Sequence, residues 1–240
     1  MKTIFALTLK AAARDPYLLF WSILLPVGGT IGLGLLIGRP EYPLHIMTGM
    51  MAVSMLFYAF STTSFAILGQ RRRGVYNLLR VTPMPLWQYI CGVSGAWTLV
   101  SLFCGLLVLG TGTIAFQLDI RLLSLLMLLP SGLLAALGYV LLSFFVSSFC
   151  RTESHASMVT NVAAMPLFFI SDGFYALEKA PAWLQTASRF NPFQWFLNGL
   201  RSALALDAGP WLASLGLLVL LLAAALALAV RTFRFSDVSA

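Results

Sequence analysis

Residues 122–149 read LLSLLMLLPSGLLAALGYVLLSFFVSSF, a stretch of 28 residues with no charged side chain. An α-helix rises about 1.5 Å per residue, so about 20 apolar residues cross the hydrocarbon core of a bilayer, which is about 30 Å thick. Five further segments are comparably apolar, in a chain that is 60% hydrophobic and only 10% charged. The sequence therefore predicts six membrane spans, near residues 17–37, 46–69, 90–116, 122–149, 156–171 and 210–230.

The spans are expected to be helices. Backbone N–H and C=O groups inside a bilayer must be paired within the protein, which leaves helices or a closed barrel. The apolar runs are long and continuous, whereas barrel strands are short and alternate between apolar and polar residues. No polar segment is long enough to build a core of its own. We therefore expect an all-α membrane protein that forms one domain over residues 1–240.

Basic residues indicate the orientation of the chain. Ten of the 15 Lys and Arg residues fall before span one, between spans two and three, after span four and in the C-terminal tail. The positive-inside rule predicts that these segments, and so both termini, are cytoplasmic. Attraction to anionic lipid is enough to account for the net charge of +7, so a nucleic-acid partner is not expected.

Residues 1–15 predict an amphipathic helix that lies in the inner membrane interface. Its two faces are Ile4, Leu7 and Ala11 on the apolar side, and Thr3, Lys10 and Arg14 on the polar side. Asp15 and Pro16 then predict the N-cap and first turn of span one. The alternative is that this segment is only a topological anchor.

The cytoplasmic connection at residues 70–88 reads QRRRGVYNLLRVTPMPLWQ. Gly74 permits a tight bend, and Tyr76 and Leu79 offer apolar contacts on a short helix flanked by arginines. Thr82 and Pro83 predict the end of that helix and the start of the next. The segment is either a surface that a partner grips or simply a loop that sets the topology.

Residues 172–206 predict a re-entrant hairpin on the outer side between spans five and six. The segment is too apolar for solvent, yet Pro181 and Pro192 break it into pieces too short to span. Asn191 with Pro192 predicts another N-cap and first turn. In the helix that follows, one face carries Gln194, Asn198 and Arg201. This polar face either lines a translocation exit or reaches the interface by snorkelling.

The order of these features resembles that of the ABC-2-type permeases, the membrane subunits of ATP-binding-cassette exporters whose ATPase is a separate chain. The similarity covers essentially the whole sequence. It includes the basic-Asp-Pro entry at residues 10–16 and the Arg- and Gly-rich segment at residues 70–87 that contains Thr-Pro. The most specific part is a set of residues in the family's order, namely Ser171, Gly173, Pro181, Trp183, Leu184, Asn191, Pro192 and Arg201.

The resemblance implies a function and two sites. It implies that the chain forms an export pathway with a second copy or a paralogue in the bacterial inner membrane. Hydrolysis of ATP by a separate ABC ATPase subunit would drive the transport. The coupling residues would be Arg71, Arg72, Arg73, Gly74, Tyr76, Leu79, Thr82 and Pro83. The outer gate would be formed by Asp172, Gly173, Pro181, Trp183, Asn191, Pro192, Gln194, Asn198 and Arg201. Two departures from the family are Gln70 and Arg72 where many relatives are acidic, and Ala176 and Leu177 where they often have proline.

The chain itself is not expected to be an enzyme or to hold a cofactor. It has no GxxxxGK[ST] loop, so ATP and Mg²⁺ would be bound by the partner subunit. Its cysteines, Cys91, Cys104 and Cys150, lack the spacing of a metal site. An intramembrane hydrolase is disfavoured because His45 and His155 fall on opposite sides of the membrane.

The main alternative is a secondary transporter driven by an ion gradient. Such a protein usually needs an ionisable group within the membrane, whereas Asp172, Glu153 and His155 lie at span ends. The substrate of the exporter would be a drug, a lipid or another small amphiphile, with a polysaccharide or lipid-linked glycan as the alternative. Met and aromatic residues of span two either line an adaptable apolar surface or simply face lipid or are packed. They are Met50, Met51, Met55, Phe57, Tyr58 and Phe60.

Overall fold

A computed structural model describes residues 2–14, 16–37, 42–75, 86–150, 152–175, 177 and 180–232. These residues form helices joined by turns, without a strand among them, which confirms the all-α prediction. The elements are α1 (Lys2–Ala13), α2 (Pro16–Ile37), α3 (Tyr42–Leu56), a π-helical segment (Phe57–Thr62), α4 (Thr63–Arg72), α5 (Leu86–Phe116), α6 (Leu122–Phe149), α7 (Glu153–Phe169), α8 (Ala182–Arg189), α9 (Pro192–Ala205) and α10 (Ala208–Thr232).

Five helices in the described part of the chain are long and apolar enough to cross a membrane. They are Leu19–Ile37, Tyr42–Arg72, Gln88–Phe116, Leu122–Phe149 and Ala208–Thr232, and they correspond to predicted spans one, two, three, four and six. The predicted fifth span corresponds to α7, which has 17 residues and is about 26 Å long. Its membrane crossing therefore stays a prediction.

The centre of the bundle is one continuous helix made of α3, the π-helical segment and α4. In an 18-residue apolar window of its candidate span 83% of the residues are buried, against 22% for the corresponding window of α2 and 28% for that of α10. Its methionines and aromatic residues are packed in the core, except for the partly exposed Phe57, so they do not line an open surface in this structure. The wide turn at Phe57–Thr62 was not expected from the sequence.

The N-terminal helix α1 packs against α5. Ile4, Thr8 and Ala12 turn towards the bundle, and Phe5 covers Gly95 of α5. Leu7 is 63% exposed. Leu7 and Ala11 of the predicted apolar face are therefore exposed on the outside of the bundle, and the prediction that α1 lies in the inner membrane interface stays a prediction.

Two short helices, α8 and α9, connect α7 to α10 where the sequence predicts a hairpin. The expected N-cap at Asn191 is confirmed, because its side chain accepts a hydrogen bond from the backbone N–H of Phe193 at 2.9 Å. Trp183 and Phe190 are 68% and 78% exposed. How deeply this segment enters a bilayer stays a prediction. Asp15, the other predicted cap, lies outside the described residues.

Candidate functional site

Polar side chains meet where the start of α3, the turn after α7 and helix α9 come together. We call this group the hairpin cluster. Its members are His45, Thr48, Asp172, Gln194, Asn198 and Arg201. Four of them were predicted from the sequence as gate residues, and two, on α3, were not.

Arg201 is the centre of the hairpin cluster. One guanidinium nitrogen, Nη1, donates to the Oδ2 atom of Asp172 at 2.6 Å. The other, Nη2, donates to the backbone carbonyl oxygen of Asp172, also at 2.6 Å. Both bonds go to a single residue and are charge-assisted, which makes them short and directional. Arg201 therefore fixes the turn after α7 against α9.

The same guanidinium also reaches α3. Its Nε atom donates to the hydroxyl of Thr48 at 3.3 Å, and Nη2 lies 3.2 Å from Nε2 of His45. A guanidinium can only donate hydrogen bonds, so Nε2 of His45 must accept, which requires the neutral ring protonated on Nδ1. His45 Nε2 also lies 3.8 Å from Asp172 Oδ1. Arg201 thus joins three elements that are far apart in sequence.

The remaining contacts tie Asp172 and α9 more closely together. The backbone N–H of Asp172 donates to Oε1 of Gln194 at 2.7 Å, and Nε2 of Gln194 donates to Oδ1 of Asn198 at 2.8 Å. Gln194, Asn198 and Arg201 therefore do share one face, as predicted. That face is turned to the Asp172 turn and α3, so it does not line an open exit in this structure.

The cluster is only partly shielded from its surroundings. The side chains of Arg201 and Asp172 keep 24% and 27% of their accessible surface. Burial lowers the pKa of Arg201 below its ordinary value, whereas the neighbouring Asp172 carboxylate raises it. An arginine pKa is so high that the guanidinium stays charged. Arg201 and Asp172 therefore form an ion pair whose surroundings are less polar than water but more polar than a dry protein core.

Beside the cluster, the backbones of α3 and the turn after α7 are in contact. A Cβ atom placed on Gly49 would lie 2.2 Å from the carbonyl oxygen of Gly173, which is far closer than real contacts. Only a residue without a side chain fits at position 49. Gly173, predicted as a gate residue, thus acts here through its backbone, which forms the surface that α3 touches.

Asn191 holds the start of α9 to the end of α7. Its Nδ2 group donates to the backbone oxygens of Leu167 at 2.8 Å and Ile170 at 3.0 Å. A cavity of about 200 Å³ lies at the same junction, lined by Pro166, Leu167, Ile170, Ala187, Phe190, Asn191 and Pro192. The structure does not bring Pro181 and Trp183 to the hairpin cluster. Pro181 precedes α8, and the Trp183 ring is exposed.

The predicted coupling residues lie at the opposite end of the central helix. From His45 to Arg71 the helix runs 26 residues, which is about 39 Å. Gly74 has a φ of 71°, so it turns the chain after α4 in the left-handed region that favours glycine. Arg71 donates from Nη1 to the backbone oxygen of Ser147 at 3.5 Å, which joins α4 to the end of α6.

Of the other predicted coupling residues, Arg72 and Arg73 lie in the described part of the chain, at the end of α4. Arg72 and Arg73 are exposed, and Nε of Arg73 donates back to the Gly69 carbonyl oxygen at 3.1 Å. Tyr76, Leu79, Thr82 and Pro83 lie outside the described residues. Contact with a partner at this end stays a prediction.

Sequence reasoning missed His45 and Thr48 as members of the hairpin cluster. They lie one helical turn apart at the start of an otherwise apolar helix, and this spacing alone could have indicated a polar contact. The partner was not apparent because 153 residues separate Thr48 from Arg201.

Comparison with known proteins identifies the family of the chain. The family model described as "ABC-2 type transporter" matches residues 1–205. The chain is 25% identical over 168 residues to the "Probable multidrug ABC transporter permease YbhR" of Escherichia coli (strain K12), a match that covers 70% of this chain but 45% of YbhR. It is 26% identical over 186 residues to the "Inner membrane transport permease YadH" of the same strain, covering 77% and 72% of the two chains.

A third relative is "Nodulation protein J" of Rhizobium leguminosarum bv. trifolii, 26% identical over 175 residues, with 71% of this chain and 66% of the relative covered. The match thus spans about half the length of YbhR and about two thirds or more of the other two. The family and the five long apolar helices together identify a multi-pass membrane protein of a transport permease family. The chain belongs to the ABC-2 type transporter family.

Proposed function

We propose that this chain is the membrane-spanning permease subunit of an ATP-driven exporter. The observation that carries the proposal is the family match over residues 1–205, together with relatives named as transport permeases. In this proposal the chain pairs with a second copy or a paralogue and docks on a separate ATP-binding subunit, which holds ATP and Mg²⁺. The chain supplies the pathway and no catalytic residue.

The proposed setting is the inner membrane of a bacterium, with both termini in the cytoplasm. The basic residues support this orientation, since the end of α4 carries Arg71, Arg72 and Arg73. The proposal takes α7 as the fifth of six spans and α8 with α9 as the outer hairpin. An apolar helix of about 26 Å is slightly short for a bilayer of about 30 Å, which local thinning can accommodate.

The central helix offers a mechanical route between the two proposed sites. Its 31 residues from Tyr42 to Arg72 extend about 46 Å. Docking of the ATPase near Gly74 would move α4, and Arg71 would pass part of that motion to α6 through its bond to Ser147. At the far end, the same helix carries His45 and Thr48, so its displacement changes the contacts of the hairpin cluster. Export then follows from a shift between states in which this cluster is closed or open.

For the substrate we propose a drug, a lipid or another small amphiphile. The support is the naming of YbhR as a probable multidrug permease. A polysaccharide or lipid-linked glycan is the alternative substrate in this family.

The ion-driven secondary transporter remains the second candidate function, and one observation favours it. His45 and Asp172 form a pair of ionisable groups 3.8 Å apart near one end of the central helix. Arg201, however, already pairs with the Asp172 carboxylate, through a charge-assisted hydrogen bond of 2.6 Å. The family assignment also favours ATP as the energy source.

The proposal is tested by reconstituting the chain with an ABC ATPase that copurifies with it. Proteoliposomes are given ATP and Mg²⁺ in the external solution, or a proton or sodium gradient, and uptake of neutral and cationic fluorescent amphiphiles by the inside-out molecules is measured. We expect uphill transport that requires both ATP and the ATPase. Accumulation driven by an ion gradient without the ATPase would overturn the proposal.

The coupling end is tested with Gly74→Val. At a φ of 71° a β-branched side chain is strained by about 1–2 kcal/mol or more, so the turn after α4 must change. We expect ATP-driven transport to be lost while membrane insertion is kept. Gly28→Val is the matched control, because a Cβ at Gly28 has no heavy atom within 4 Å. Normal transport by Gly74→Val would remove the docking assignment.

A further inference from the structure

Seven buried side-chain polar atoms have no hydrogen-bond partner within the part of the chain that the structure describes. They are Ser22 Oγ, Ser61 Oγ, Thr62 Oγ1, Thr63 Oγ1, Ser94 Oγ, Trp97 Nε1 and Thr98 Oγ1. Six of the seven come from two short stretches, residues 61–63 and residues 94–98. Elsewhere in the bundle, buried hydroxyls bond to the carbonyl oxygen three or four residues earlier, as Thr30, Ser143 and Thr160 do. The two stretches are therefore exceptional in this protein.

The two stretches lie at the same level of two packed helices. The hydroxyl of Ser101 on α5 donates to the backbone oxygen of Met55 on α3 at 3.0 Å. Further along, the rings of Tyr58 and Trp97 have centroids 5.7 Å apart. Residue numbers rise on one helix as they fall on the other, so the helices are antiparallel. Continuing this register by about one turn brings residue 61 level with residue 94.

Local structure explains why the hydroxyls of residues 61 and 62 lack partners. Residues 61 and 62 end the π-helical segment, whose wider turn changes the position of the carbonyl groups that a hydroxyl would ordinarily reach. Phe5 of α1 covers the neighbouring Gly95 from the side, which helps to bury the contact. Each of the six residues is at most 5% exposed. We call the contact formed by residues 61–63 and 94–98 the hydroxyl seam.

The chemistry of the hydroxyl seam defines what can bind there. Its five hydroxyls each donate and accept hydrogen bonds, the indole N–H of Trp97 only donates, and none of these six groups is charged. Unpaired polar groups are costly inside a membrane protein, and native structures usually satisfy them with protein, ordered water or ligand. Six such unpaired polar groups lie within about two turns of two packed helices, which indicates that another molecule forms hydrogen bonds with them.

We propose that the hydroxyl seam is a binding site for uncharged hydrogen-bonding groups. Water occupies it in the empty protein, and the hydroxyl, ether or amide oxygen of a substrate replaces that water during transport. The substrate half of this assignment rests on the proposed transport function, whereas occupation by water does not. The site lies within one chain and is separate from the hairpin cluster.

Cysteine labelling tests whether the seam holds water. Cys91, Cys104 and Cys150 are first replaced in the full-length chain, and Ser94→Cys is compared with Val93→Cys in native membranes. Both positions are buried, at 3% and 0% exposure, and are adjacent on α5. Methanethiosulfonates react with the thiolate, which forms in water and is suppressed in a dry core. We expect Ser94→Cys to react about ten times faster, the effect of about one pKa unit. Equal rates would overturn the site.

Removing the polar atoms gives an independent readout. In a dry core, replacing an unpaired hydroxyl by an apolar group of similar shape stabilises the protein, whereas in an occupied site it does not. We therefore expect Ser94→Ala and Thr98→Val to leave the melting temperature unchanged or lower. A higher melting temperature for both variants would show a dry packing defect and end the proposal.

A protection experiment separates water from substrate. Labelling of Ser94→Cys is repeated with octyl glucoside, a neutral amphiphile, and with octyltrimethylammonium, which has the same chain length, both below the concentrations that dissolve the bilayer. We expect the glucoside alone to slow labelling, by threefold or more. If labelling is fast but neither compound protects, the substrate half is overturned. None of these labelling measurements needs ATP, so a negative result here is distinct from a negative result in the ATP-driven transport assay.

Discussion

Replacing Arg201 by alanine should destabilise the protein by an amount that the hairpin cluster lets us calculate. The change leaves the Asp172 carboxylate without its cation and removes the bonds to its backbone oxygen and to Thr48. Breaking a fully buried ion pair costs about 3–5 kcal/mol, and an exposed one about 0–1 kcal/mol. With a quarter of each side chain accessible, we expect a loss of about 2 kcal/mol.

This loss can be measured as a change in melting temperature of the purified protein in detergent. For a chain of 240 residues, 1 kcal/mol corresponds to about 2–4 °C, so Arg201→Ala should lower the melting temperature by about 4–8 °C. Arg189→Ala is the matched control, since Arg189 is an exposed arginine of the same connecting segment. It should change stability by less than about 0.5 kcal/mol.

A double-mutant cycle identifies the pair as the cause. Asp172→Asn alone, Arg201→Ala alone and the two together should be non-additive, with a coupling energy of about 1–2 kcal/mol. Arg201→Lys keeps the charge but not the planar fork that bonds twice to Asp172, so it should fall between the wild type and alanine. Additive single effects, or a wild-type melting temperature for Arg201→Ala, would refute the ion-pair account.

Two further substitutions test the packing around the cluster. Gly49→Ala should destabilise the protein by about 1–3 kcal/mol, because the new Cβ would meet the Gly173 carbonyl oxygen. Gly28→Ala is the control and should be neutral or stabilising, since no atom lies near its Cβ. Equal melting temperatures for the two variants would contradict the close contact. Asn191→Ala should cost about 2–3 kcal/mol through its lost N-cap and two lost bonds to α7, and Asn191→Ser, which keeps a neutral capping oxygen but not the amide donor, should lose less. A larger loss for the serine variant would contradict this division.

Much of the fold could be predicted because its signals are local. A run of apolar residues specifies a long helix wherever it occurs, so the bounds of α6 were predicted to the residue. The cap at Asn191 and the bend at Gly74 likewise depend on one or two neighbouring residues. Such features need no knowledge of the tertiary structure.

The contacts between helices could not be predicted in the same way. The sequence indicated that Gln194, Asn198 and Arg201 share a face, but not that the face turns to Asp172 and α3. The packed row of α1 depends on the space above a glycine of another helix, and the π-helical segment has no composition that distinguishes it from an ordinary turn. These features arise from pairs of residues that are distant in sequence.

In the function that we propose, the hairpin cluster breaks in every transport cycle, and its strength suits such a contact. A contribution of about 2 kcal/mol biases an equilibrium about 30-fold, since 1.4 kcal/mol is a factor of ten. A fully buried pair of about 4 kcal/mol would bias it about 1,000-fold, and opening would need a correspondingly larger difference in binding between the two states. The partial exposure of Arg201 and Asp172 is therefore part of the function that we propose. Under this proposal, a closed state favoured 30-fold would resist leakage, yet a modest displacement of the central helix would be enough to open it.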